Sequence, residues 1–166
     1  MKKYVRILCA VSLLCAIPNI GLTAEDIDFE TSISTATQAA KDGDSDTVLT
    51  ITMDLLKSTQ LDDTQISQTY YLRAWVYQKI LKDYREAIYY YTQSVDKKAD
   101  DRWTASSLIN RASCYGLLKK FDRALKDVNL ALEMWPDNPT ALGQKKALLD
   151  AMEHEEELAE KGPRIE

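Results

Sequence analysis

The chain has 166 residues, 45% of them hydrophobic, and a formal net charge of −5. That length fits one ordinary domain with enough apolar residues to close a core, which excludes wholesale disorder. Five Gly and four Pro are too few for a turn-rich, many-stranded β protein, and a single His with an acidic balance argues against a multi-His metal site and against nucleic-acid binding.

The amino-terminal stretch stands apart from the rest. Lys2, Lys3 and Arg6 come first, Ile7 to Ile17 is apolar except for Ser12, and Pro18, Asn19 and Gly21 break any helix before Leu22-Thr23-Ala24 and the acidic Glu25-Asp26. Basic start, short apolar run and small residue is the order of a secretory signal over residues 1–24, with cleavage after Ala24. The apolar run is well short of the roughly 20 residues that span a bilayer, so the mature form is expected to have no membrane span and to be periplasmic or secreted. The alternative is a retained amino-terminal anchor, because Leu22 is a mediocre cleavage-site residue. Leu8 and Leu14 stand before Cys9 and Cys15 where a lipoprotein signal needs a small residue, so lipidation is not expected. Without Lys2, Lys3 and Arg6, the remaining 142 residues hold 18 basic and 26 acidic side chains. Cys114 is then the only thiol, which forbids an intramolecular disulfide and fits a small buried apolar residue.

Further along, Asp42-Gly43-Asp44-Ser45-Asp46 begins like a calcium loop. Thr47 and Met53 stand where such a loop needs Gly and Glu, so a turn with a helix cap is expected. From residue 70 the chain repeats itself. Tyr70-x2-Arg73-Ala74-x2-Tyr77 returns 38 positions later as Leu108-x2-Arg111-Ala112-x2-Tyr115. Tyr84-x2-Ala87-x3-Tyr91-x2-Ser94 returns 37 positions later as Phe121-x2-Ala124-x3-Val128-x2-Ala131. The turn Ile80-Leu81-Lys82-Asp83, one residue longer than Leu118-Lys119-Lys120, accounts for the difference. Spacings of three and four inside each block are helical. The small Ala residues let paired helices approach, and the period of the repeat indicates stacked helical hairpins. Asp83 with Glu86 suits a capping box. Pro136 ends the last repeated helix, and Asn138-Pro139 opens the next with Asn as cap and Pro at the first helical position.

These residues resemble the tetratricopeptide repeat, nominally 34 residues of the pattern W-x2-L-G-x2-Y, then A-x3-F and a closing P. Residues 105–138 follow it through Leu108, Ala112, Tyr115, Ala124, Val128, Ala131 and Pro136, with Arg111 in place of the usual Leu. Residues 67–100 follow it with one insertion and with Ala99 for Pro. Residues 28–61 form a degenerate first unit that keeps Ala36, Ala39, Gly43, Val48, Thr52 and Leu55 but lacks the aromatics. The expected fold is therefore all-α, a short solenoid of three hairpins within residues 25–138, closed by a capping helix and acidic tail over residues 139–166. Ala141, Leu142, Ala147, Leu148, Ala151, Met152 and Leu158 give that last helix one apolar stripe.

The resemblance implies a concave groove lined by the first helix of each hairpin, in which a peptide segment lies. Register places Tyr71, Trp75, Gln78 and Lys79 there from the second unit, Ser106, Ile109, Asn110, Ser113 and Leu117 from the third, and Ile33, Thr37 and Lys41 from the first. Only Asn110 and Lys79 resemble the set that clamps a terminal carboxylate, so Tyr71 and Trp75, one turn apart, are expected to form an aromatic ledge for an apolar segment. Packing of these two residues into the core is the competing expectation. His154-Glu155 lacks the second His of H-E-x-x-H, since Leu158 occupies that place, and no triad, phosphate loop or acid–base pair is evident. The reading is a non-catalytic adaptor for a protein or peptide partner, without cofactor or metal. The rivals are a structural subunit that stacks on itself or on an assembly, and an enzyme or metal protein.

Overall fold

The structure, a computed structural model, describes residues 28–161. The export signal expected over residues 1–24 lies outside them, as do residues 162–166 of the terminal segment. The described residues form seven helices and no strand: α1 (Phe29–Lys41), α2 (Ser45–Lys57), α3 (Asp63–Lys79), α4 (Tyr84–Asp96), α5 (Asp101–Leu117), α6 (Phe121–Met134) and α7 (Pro139–Lys161). None of them is long and apolar enough to cross a membrane.

Each helix packs on the next. In addition α1 touches α3, α3 touches α5 and α5 touches α7, whereas α2, α4 and α6 do not touch one another. The row that stays in contact lies on the inside of the curve, so α1, α3, α5 and α7 form the inner face and α2, α4 and α6 the outer one. The result is an all-α solenoid of three hairpins, α1–α2, α3–α4 and α5–α6, with α7 against the last.

Local chemistry sets the helix starts. Asp44 accepts from the Thr47 amide at 3.1 Å, and Asp62 and Gln65 form a complete capping box. Asp83 accepts from the Arg85 and Glu86 amides, Asp100 from those of Arg102 and Trp103, and Asn138 from that of Ala141. Caps of this kind contribute about 1 kcal/mol each. The turns inside the hairpins share one device, a residue in the left-handed region: Gly43 (φ 79°), Lys82 (φ 58°) and Lys119 (φ 56°). The residue after it donates back to the ending helix, Asp44 to the Ala39 carbonyl and Lys120 to that of Tyr115. In the turn with the extra residue, Asp83 reaches the Tyr77 carbonyl, one position further back.

The packing register is the same in all three hairpins. Ala36, Ala74 and Ala112 on the first helices are fully buried, as are Val48, Ala87 and Ala124 on the second. The next buried layers are Thr52, Tyr91 and Val128, then Leu55, Ser94 and Ala131. The first hairpin keeps this geometry without the aromatics. Cys114 is buried against Ala74, Ala87 and Tyr91, and burial pushes its thiol up to about 12.

Polar groups join the hairpins, and two of these links are buried or nearly so. Ser94 on α4 lies 2.9 Å from the Ser67 hydroxyl of α3 and 2.8 Å from that of Ser107 on α5, and all three are buried. Arg111 explains its departure from the usual Leu. Its Nε and Nη2 grip both oxygens of Asp127 at 2.7 and 2.8 Å, and its Nη1 donates to Thr92 Oγ1 of the preceding hairpin at 2.9 Å. Burial pulls the guanidinium pKa down, but the Asp127 contact outweighs it and the net shift is upward.

A candidate peptide-binding face

The inner face of α5 is a single stripe. Trp103, Ser106, Asn110, Ser113 and Leu117 recur at spacings of three and four, so their side chains share one side of the helix. Of these, Leu117 is exposed and the other four are half-buried. Trp103 precedes the first position of its repeat. It faces inward because α5 begins at Asp101, four residues before that position, with Asp100 as its cap. Extending the Ser106–Asn110 stripe back by three residues would have found it.

On α3, Tyr71 and Trp75 are half-buried and Lys79 is exposed. The Tyr71 ring lies 5.3 Å from Trp103 and meets Tyr91 edge-on at 5.8 Å. Asn110 Nδ2 donates to the Tyr71 hydroxyl at 3.3 Å and to the Ser106 carbonyl at 3.0 Å. Burial raises the Tyr71 hydroxyl pKa, with the Asn110 bond opposing it, so the group stays protonated in the neutral range. Its proton, and Asn110 Oδ1, which has no partner among the described residues, are thus a donor and an acceptor beside two aromatic rings. Trp75 is half-buried and packs against the core shared by α1, α2 and α3.

Three residues expected on the groove lie in the core instead. Gln78 is 2% exposed, with its Oε1 accepting from the Tyr91 hydroxyl at 2.8 Å and its Nε2 without a partner among the described residues. Ile109 joins the core of the third hairpin, closed by Leu148 and Ala141 of α7. Ile33 joins the core of the first. Ile109 and Ile33 pack against the next inner helix, α7 and α3, which register within one hairpin does not reveal, whereas Gln78 is held by Tyr91 of its own hairpin. Thr37 is half-buried, its hydroxyl donating to the Ile33 carbonyl at 2.7 Å, and Lys41 is exposed. The face therefore consists of Tyr71, Trp75 and Trp103 as aromatic surface, Asn110, Ser106 and Ser113 as polar floor, and Lys79 and Leu117 toward one edge.

Among the described residues no group of three or more His, Cys, Asp or Glu is arranged to hold a metal ion. The tetratricopeptide repeat family model matches residues 67–100 and 105–138. No curated protein matches the chain. Those two stretches are the hairpins α3–α4 and α5–α6, so the part of the chain that is similar to this repeat family is the part that carries the face.

Proposed function

We propose that the mature chain is an exported, non-catalytic adaptor that holds a segment of another protein along its inner face. The observation that carries this reading is the row of Tyr71, Trp75 and Trp103, three large rings left partly open on two adjacent inner helices. Such rings bury much area with little loss of rotamer freedom, which makes them effective contact residues. The polar groups beside them are mostly neutral, with Lys79 as the only expected groove cation on these two repeats. An apolar or aromatic segment is therefore a better ligand than a terminal carboxylate, with Tyr71 and Asn110 hydrogen bonding to its backbone. Export rests on the order of residues 1–24.

Affinity purification of the protein from the envelope fraction, with partners identified by mass spectrometry, tests the function. One protein should be enriched by the wild type and lost with Trp103→Ala. Equal recovery by both would remove the inner face from the account. Amino-terminal sequencing of the exported form should begin near Glu25, and material that keeps Met1 and sediments with membranes would contradict cleavage.

A further inference from the structure

Arg73 and Arg111 hold equivalent places in successive repeats, yet among the described residues only Arg111 has a carboxylate. Both direct Nη1 at the preceding hairpin. Arg111 donates to Thr92 Oγ1, and Arg73 donates to the Leu49 carbonyl at 2.8 Å and to Thr52 Oγ1 at 3.0 Å. The residue equivalent to Asp127, 37 positions earlier, is Tyr90, whose ring centroid lies 4.9 Å from the Arg73 guanidinium carbon. No described Asp or Glu forms an ion pair with Arg73.

The surroundings of Arg73 are aromatic. Tyr90 stacks with Tyr77 at 5.3 Å and with Tyr70 at 6.3 Å, and meets Tyr89 edge-on at 5.0 Å. Tyr89 is 54% exposed. Tyr70, Arg73 and Tyr77 point about 150° around α3 from Tyr71 and Trp75, so this surface is separate from the inner face. It lies between α2 and α4, which do not touch, and Arg73 bridges that gap. A half-buried cation walled by rings attracts a carboxylate more strongly than one in open water, and tyrosine with arginine is the composition of interface anchor points.

We propose that this outer face of the α3–α4 repeat is a second docking surface, and that it takes an acidic segment of a partner protein. An Asp or Glu carboxylate of that segment pairs with Arg73, as Asp127 pairs with Arg111, while its apolar neighbours lie on the tyrosines. The proposal does not depend on the inner face binding anything.

The test is side-chain NMR of the arginine Nε–H groups in the isotope-labelled protein. The probe is the blocked peptide acetyl-Leu-Glu-Phe-amide, compared with its Gln counterpart and with inorganic phosphate. The Glu peptide should shift the Arg73 signal saturably and leave that of Arg111 in place, and the Gln peptide should bind at least about tenfold more weakly. Tyr90→Asp, which offers Arg73 an internal carboxylate, should abolish the shift while keeping the guanidinium. Arg73→Gln should remove the binding. The proposal is overturned by the absence of a saturable shift, by equal binding of the two peptides, or by a response that survives in both variants. Phosphate binding as tight as that of the Glu peptide would also overturn it, by showing a general anion site.

Discussion

Replacing Arg111 by Met should destabilise the protein more than replacing its repeat equivalent, Arg73. The Arg111 and Asp127 side chains are 14% and 5% exposed, and two guanidinium donors satisfy the carboxylate. Arg111→Met leaves that carboxylate buried and unpaired, which costs about 3–5 kcal/mol. Arg73→Met strands no acid. It loses two hydrogen bonds, both from one Nη1, and a ring contact, together about 2–3 kcal/mol. The double variant Arg111→Met with Asp127→Leu removes both charges and should return to within about 1 kcal/mol of the wild type. Urea denaturation followed by circular dichroism measures all three. The slope should be compared as well, because a repeat array that melts in parts would lower it. Equal costs for the two single variants, or no recovery in the double variant, would refute the argument that Asp127 rather than the inter-hairpin contact dominates.

Two further outcomes follow from the packing. Ala112 and Ala124 are fully buried on the paired helices of one repeat, so Ala112→Leu should cost about 1–3 kcal/mol and lower the melting temperature by several degrees, and unchanged melting would mean that these helices do not meet there. Cys114 has its thiol raised by burial from 9.0 to about 12, so its contribution to stability is complete below pH 9 and is lost as the pH rises toward 12. Between pH 8 and pH 11 the wild type should lose about 2–3 kcal/mol more than Cys114→Ala in urea titrations; equal losses would contradict a sequestered thiol.

The helices and their pairing are legible in the sequence because they depend on small residues at fixed spacing. Ala36, Ala74 and Ala112 mark the close contacts even in the first hairpin, which lacks the aromatics of the repeat pattern. The links between hairpins are not legible. Ser94 is visible in the sequence only as the repeat counterpart of Ala131, and three helices brought together make Ser67, Ser94 and Ser107 a buried hydroxyl chain. Arg111 reads as a departure from pattern until Asp127, 16 residues away, comes into view. The inner face was half legible. Tyr71, Trp75 and Asn110 have open surface there, whereas Gln78 and Ile109 are covered by neighbouring elements, and Trp103 lies before the repeat's nominal start.

The claim that the inner face holds a partner is tested most directly by measuring partner affinity and melting of Trp103→Ala on one preparation. Trp103 is half-buried and packs on Tyr71, so its truncation should weaken binding by about 1–3 kcal/mol while the protein stays folded at the assay temperature. Undiminished affinity in the folded variant would contradict the account.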